Sequence, residues 1–472
     1  MSKQLFNSSE KSNFILNMTE EKYSQLATFG LSTACFSTAV FAVIPEIVDK
    51  LSYSIVSGGL AISGVICMIL ALIGIMKKYI DFRKNIPFFA FGVMVVWGIV
   101  SLINSYSVSI SFYGFSGRGE GLLAIIFYFC FFITAMSVKR EKAITIIVNS
   151  VIASGLLHSV IGLVQVFTGK LSHYRFASLK IKINSASGLA QSPIFLAMVL
   201  SIALTASLVT AVLTDSKKRR IFCIVSSCLF SFVIMFTYSL MGIVGIVIAV
   251  FSAVASFLIK KSPAIRLVSV FSGILPAILS VIIVNAGIVG EISSYKLYDG
   301  YTLWWADSYM RLSASGIYNK DDLDISDTTE VYKYLNSKTI DIIKKYSLTG
   351  TGADQLVYPQ LYTNSGLDPE ITDLNTIISL NKGTFDKVYN EYLYTTATRG
   401  IPSLIALVMI LVSVLMRGLR KIKKSPSENN ICTFMMFICG IIIFFIGCSN
   451  ITFSPIFWTV SGLLMCSEKQ KQ

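Results

Sequence analysis

Charge is scarce in this chain: 14% of its residues are Asp, Glu, Lys or Arg, against 54% apolar. There are two histidines and nine cysteines, with no Cys-X-X-Cys pair and no cysteine between 290 and 390. Neither a disulfide framework nor a metal site follows from that spacing; the cysteines read as small apolar residues, and no cofactor is expected. Asp321-Asp322-Leu323-Asp324 lacks the Gly and closing Glu of a calcium loop, so it reads as a solvated acidic turn. The polar first 24 residues and the span-length apolar block after them carry no evident small-residue cleavage site, which argues against a removed signal peptide. The apolar blocks hold essentially none of the ionisable groups that an ion-coupled carrier would need, and no internal repeat is evident. His158 is the titratable exception, expected to be neutral and bonded to a neighbouring helix.

Long apolar runs are what the chain has instead. A bilayer core of about 30 Å needs about 20 apolar helical residues, and twelve segments qualify or come close: 25–46, 54–76, 86–106, 121–138, 143–167, 185–213, 221–238, 240–259, 267–289, 391–416, 431–448 and 452–466. The divisions at 237–240 and at Ser449-Asn450 are the narrowest. The fold class expected is therefore an all-α polytopic membrane protein: an N-terminal segment 1–24, a bundle of nine spans over 25–289, a loop domain 290–390, three further spans over 391–466 and a tail 467–472. Lys and Arg cluster at alternate connections, at 77–84, 139–142, 217–220, 260–266 and 417–424. Positive residues beside spans stay cytoplasmic, which places both termini inside. The net charge of +14 is then an orientation signal and a contact for anionic membrane lipids, with no nucleic acid implied. Small residues, as in Ser57-Gly58-Gly59 and Gly242-Ile243-Val244-Gly245, suit close helix packing.

Two connections on the opposite side stand apart. Residues 289–390 hold 14 of the 26 acids and 11 of the 21 tyrosines; with 9 Lys or Arg the local balance is −5. Its aromatic segment 295–309 suits sugar stacking or a headgroup-level belt equally. An amphipathic helix is predicted over 332–345, followed by Gly350-Thr351-Gly352, whose glycines permit close backbone approach. The connection between the fifth and sixth spans holds His173, Arg175, Lys180 and Lys182 without an acid. It suits an anionic ligand, since Arg grips phosphate through paired bonds, or lipid headgroups.

Four segments carry a resemblance: Gly117-Arg118-Gly119-Glu120-Gly121-Leu122-Leu123; 185–197, with Gly188 and Pro193-Ile194-Phe195-Leu196-Ala197; 348–354; and Asp386-Lys387-Val388-Tyr389-Asn390-Glu391-Tyr392-Leu393 followed by Thr398-Arg399-Gly400-Ile401. With the span order, they make the chain similar to the bacterial O-antigen ligase and O-antigen polymerase superfamily. That likeness implies a bundle of the type C glycosyltransferase kind and metal-independent transfer from an undecaprenyl-pyrophosphate-linked oligosaccharide donor to a glycan or surface-molecule acceptor. In the family, outer arginines hold the pyrophosphate and a histidine assists the acceptor hydroxyl. A cation suits charge developing on the leaving group, and a base of intermediate pKa suits the hydroxyl proton.

This chain departs from the pattern at two places. Tyr389 stands where the histidine is expected, and a phenol with a pKa of about 10 is a poor base near neutrality. Leu240 replaces a further arginine. Arg175 matches an expected arginine, and with Lys180 and Lys182 would hold the diphosphate. Arg118, Arg311 and Arg399 are further outward candidates, and with Tyr389 all three belong to the acceptor or loop side. His173, Asp386 or Glu391 could supply the base, with Asn390 orienting groups beside it. The alternatives are a non-catalytic subunit that binds lipid-linked glycan, or a glycan-lipid flippase; oligomeric state is open.

Overall fold

The computed structural model describes residues 18–47, 54–80, 82, 85–115, 118–171, 175–177, 181–190, 192–286, 291–292, 328–362 and 385–466. Among them the chain is helical, in the order α1 (Glu20–Ile47), α2 (Ser54–Met76), α3 (Ile86–Val100), α4 (Val108–Tyr113), α5 (Leu122–Met136), α6 (Glu141–Thr168), α7 (Pro193–Leu213), α8 (Lys217–Met235), α9 (Leu240–Lys260), α10 (Phe271–Asn285), α11 (Thr328–Lys345), α12 (Tyr358–Tyr362), α13 (Glu391–Lys424), α14 (Glu428–Ile443) and α15 (Ser454–Met465). Each of the twelve apolar segments overlaps one of these helices, of 12 to 34 residues.

Eight stretches are long and apolar enough to cross a membrane by length and composition: 20–42, 57–76, 86–104, 141–168, 193–213, 240–260, 264–285 and 391–424. Helices α5, α14 and α15 are apolar but shorter. At about 1.5 Å per residue they reach roughly 22, 24 and 18 Å, less than a bilayer core of about 30 Å. Four cations, Lys217 to Arg220, open α8 and leave a shorter apolar remainder. Large apolar side chains face outward on the flanks, with Met76, Val225, Phe251 and Ile282 each more than half exposed. Such a surface suits lipid better than water.

Helix α7 is the hub. Apart from Ile194 it is buried along its whole length, packed among α6, α8, α9 and α14. A helix apolar on every face is stable only away from water, in a protein core or in lipid, and α7 takes the core. Two of its hydroxyls bond within the helix, Ser201 and Thr205 donating to the carbonyls of Ala197 and Ser201 at 2.6 and 2.9 Å. Gly245 of α9 lies so close to Ser201 that a Cβ there would overlap its Oγ, which is the close packing expected of small residues.

Both narrow divisions separate helices. Ser239 caps α9 through the Gly242 amide at 3.2 Å, and Asn450 Oδ1 accepts from the Thr452 and Phe453 amides at 3.2 and 2.9 Å just before α15. The segment 185–213 is helical only from Pro193. Before it, Gln165 Oε1 takes the Ser187 and Gly188 amides at 2.9 and 2.7 Å, and His158 Nδ1 takes the Leu189 amide at 3.2 Å. His158 is therefore unprotonated at Nδ1 and bound to a turn, where a neighbouring helix was expected.

The all-α expectation needs one amendment. Three short strands, β1 (Arg175–Ala177), β2 (Ile181–Asn184) and β3 (Glu291–Ile292), form an antiparallel sheet in the order β1-β2-β3. Arg175 lies opposite Asn184, and Lys182 opposite Ala177 and Glu291. The cationic connection is thereby joined to the start of the acidic one.

Ion pairs gather the basic connections at one end of the bundle: Lys139 with Glu20 (3.1 Å), Arg140 with Glu21 (2.8 Å), Arg219 with Glu428 (2.6 Å) and Arg266 with Asp215 (2.6 Å). The described parts of 328–362 and 385–390 sit at the other end, tied to the 97–115 region. Trp97 Nε1 donates to the Leu348 carbonyl at 2.7 Å, Asn104 bonds Thr349, and the Tyr106 amide donates to Gln355 Oε1 at 2.8 Å.

Candidate functional site

The site is built on an interruption in α13. Gly400 has φ 79° and ψ 168° inside the helix, and Pro402, two residues on, has no amide proton to donate. The break frees backbone groups that the long connection uses. The Thr351 and Gly352 amides donate to the Ala397 and Thr398 carbonyls, each at 3.0 Å, and the Ile401 amide donates to the Ser347 carbonyl at 2.8 Å. Gly350, at φ 70°, lies against the Thr398–Arg399 peptide with no room for a Cβ. Non-helical backbone away from water is tolerable only when its polar groups are paired in this way.

The start of α13 is anchored as firmly. Asn390 caps it, its Oδ1 accepting from the Leu393 amide at 3.0 Å and its Nδ2 donating to the Phe445 carbonyl at 3.3 Å. The Glu391 amide donates to the Phe444 carbonyl at 2.9 Å. The Glu391 carboxylate accepts from the Ser449 amide at 2.6 Å on Oε2 and from Thr395 at 2.9 Å on Oε1, with Arg399 Nη2 3.4 Å from Oε1. Arg399 also donates to Thr395 Oγ1 at 2.8 Å. Glu391 and Arg399 are both about 5% exposed, which corrects the expectation that the spans hold no ionisable group but His158. The pair was hidden because Glu391 opens the helix and Arg399 lies two turns on, each reading in sequence as the flank of an apolar run.

Beside this pair lies a second buried network centred on Lys387. Its three N–H groups meet three acceptors: Glu120 Oε2 at 3.1 Å, Asp354 Oδ1 at 3.0 Å and Tyr394 Oη at 2.6 Å. Tyr394 donates onward to Asp354 Oδ1 at 3.2 Å, Tyr128 donates to Glu120 Oε1 at 3.0 Å, and Ser449 Oγ reaches Glu120 Oε2 at 3.3 Å. Asp354 Oδ2 accepts the Phe115 amide at 2.9 Å. Ser449 thus touches both networks.

Burial and attraction compete at these groups. Burial raises the Glu120 carboxyl above its ordinary value, outweighing the nearby Lys387 ammonium, and the charges of Asp354 and Glu391 push it the same way. Burial opposes ionisation of Asp354 too, yet Lys387, the Phe115 amide and Arg118 hold it below the usual carboxylate range. Lys387 is held well above its ordinary value by Asp354, Tyr394 and Glu120 against the same cost of burial. With Asp386 and Arg118 included, four carboxyls face three cations, an excess of one negative charge when all are ionised.

Arg118 pairs with Asp386 at 2.9 Å, and its guanidinium lies 5.6 Å from the Phe195 ring centre at the start of α7. Tyr389 is half-buried against Tyr332, ring centres 6.0 Å apart. Burial and the Asp386 charge push its phenol well above the ordinary value, so Tyr389 is a still poorer base than its residue type implies. Glu120, Asp354, Glu391, Tyr394, Arg399 and Ser449 share the walls of one small cavity of about 20 Å³, room for about one water and none for a sugar ring.

Of the residues singled out in sequence, Arg118, Asp386, Tyr389, Asn390, Glu391 and Arg399 come together here. Arg175 and Lys182 lie on β1 and β2, where the backbone alone is described. His173, Lys180 and Arg311, with the segments 295–309 and 321–324, lie outside the described residues. Lys387, Glu120, Asp354, Tyr128, Tyr394 and Ser449 were missed as site residues. For the first three the signal was present: each is a charge inside one of the four quoted segments, and Glu120 is set between two glycines at the mouth of an apolar run. Neither a known protein-family model nor a curated protein matches this chain.

Proposed function

We propose that this protein transfers a glycan from a polyprenyl-pyrophosphate-linked donor to a glycan or surface acceptor at the outer face of a bacterial plasma membrane, with about twelve spans and both termini inside. The supporting observation is the meeting of four segments distant in sequence: Arg118 and Glu120, Phe195, Asp354, and the run from Asp386 to Arg399, joined by the Lys387 and Arg118 ion pairs. In this reading the acceptor hydroxyl oxygen attacks the anomeric carbon and the bond from that carbon to the phosphate oxygen breaks. The polyprenyl pyrophosphate leaves with the bonding pair. The hydroxyl proton passes to Glu391, whose carboxylate is oriented by the Ser449 amide, Thr395 and Arg399. Arg118, with Arg175, Lys180 and Lys182 from the cationic connection, balances charge on the departing diphosphate.

The pairing of these charges and the small cavity between them favour one competing reading, a non-catalytic subunit that binds lipid-linked glycan. Purified protein given a lipid-linked oligosaccharide and acceptor separates the two. Elongated or attached glycan with release of polyprenyl pyrophosphate supports transfer; saturable binding without product supports the subunit.

A further inference from the structure

At the basic end of the bundle, far in the fold from the charged cluster, a second and larger cavity opens between the end of α2, the start of α3, the end of α5 and the last turns of α13. Its volume is about 410 Å³, and it is lined by Lys78, Lys139, Arg417 and Arg420 together with Ile86, Met136, Val412, Met416 and Met465. No lining residue is acidic. Lys139 is engaged with Glu20, whereas Lys78, Arg417 and Arg420 make no ion pair among the described residues. The cavity is thus lined by three uncommitted cations, and its apolar side runs onto the outer flank, where Ile86, Val412 and Met416 are each about half exposed.

We infer that this cavity holds the phosphate headgroup of an anionic phospholipid, with its acyl chains lying along Ile86, Val412 and Met416. Cations gathered at helix ends attract a phosphate, and Arg presents paired donors to its oxygens. A soluble phosphate would use the cations and leave the apolar wall without a role; a lipid uses both. The site is independent of the proposed glycan transfer, because its residues touch none of the cluster around Lys387.

The test is lipid retention. Wild-type protein and the triple variant Lys78→Gln/Arg417→Gln/Arg420→Gln are placed in nanodiscs of phosphatidylcholine with a minor share of phosphatidylglycerol, extracted, and the lipid remaining on the protein is measured by native mass spectrometry. Wild type should keep phosphatidylglycerol above its share of the bilayer. Each lost cation should weaken that preference by about fivefold, so that the triple variant matches the bilayer. The single variants Arg417→Gln and Arg420→Gln carry the same test at smaller amplitude should the triple variant fail to fold. Thermal stabilisation by phosphatidylglycerol but not by inorganic phosphate supports the lipid. Equal stabilisation by inorganic phosphate, no enrichment in wild type, or undiminished enrichment in the variants would overturn the inference.

Discussion

Lys387 is the residue on which most of the cluster depends, because among the described residues it is the cation ion-paired with both Glu120 and Asp354. Removing one partner from a buried ionic network leaves the others uncompensated, at a cost of about 3–5 kcal/mol. Lys387→Met should therefore lower unfolding stability in detergent by that order, and adding Asp354→Asn should recover part of it; a loss below about 1 kcal/mol would show the network to be dispensable. Glu120 carries a pH signature of definite sign. Its folded-state pKa lies above the ordinary 4.5, so between that value and the raised one the folded protein binds more protons than the unfolded chain, and stability falls as pH rises. The Asp354 shift acts the other way: its contribution is present above the ordinary 3.8 and is lost as pH falls below it. Lys387 loses its contribution only above 10.5. Glu120→Gln should accordingly show a smaller fall in melting temperature than wild type as pH rises above the ordinary 4.5. An unchanged pH profile would remove Glu120 as the source of that dependence. None of these pairings was legible in sequence, since Lys387 and Glu120 stand 267 residues apart and nothing in either segment names its partner.

At the scale of elements, the break in α13 joins the long connection to the bundle. Gly400 has a positive φ, and a Cβ there would fall 2.0 Å from the Leu348 carbonyl oxygen. Gly400→Ala should cost about 1–3 kcal/mol from backbone strain alone, with further loss as the Thr351 and Gly352 bonds are displaced. Gly92→Ala in α3, where a Cβ meets nothing within 4 Å, is the matched control and should be neutral or slightly stabilising; equal melting temperatures for the two variants would rule out the break as a structural fixture. The helices were readable because each apolar run has a length and a charged boundary. The amphipathic helix predicted over 332–345 also formed, starting earlier, at Thr328. The sheet was not readable: strands of three, four and two residues are too short to show alternation, and their pairing joins connections over a hundred residues apart.

For the whole molecule, the ion-paired basic connections at one end and the Gly400-anchored connection at the other set up an orientation that labelling can check. Asp215 and Leu348 are exposed at opposite ends. With basic connections inside, Leu348→Cys should react with a membrane-impermeant thiol reagent on intact cells, and Asp215→Cys only after permeabilisation; the reverse pattern would invert the proposed topology and place the cluster on the wrong face for an extracytoplasmic transfer. The most direct measurement is the single-turnover rate of glycan transfer by purified protein in proteoliposomes, comparing wild type, Glu391→Gln and the exposed control Lys333→Gln. If Glu391 takes the hydroxyl proton, Glu391→Gln should be slower by about a hundredfold or more with donor binding retained, while Lys333→Gln matches wild type. Transfer by Glu391→Gln at the wild-type rate, or its absence from wild type itself, would contradict the proposed chemistry.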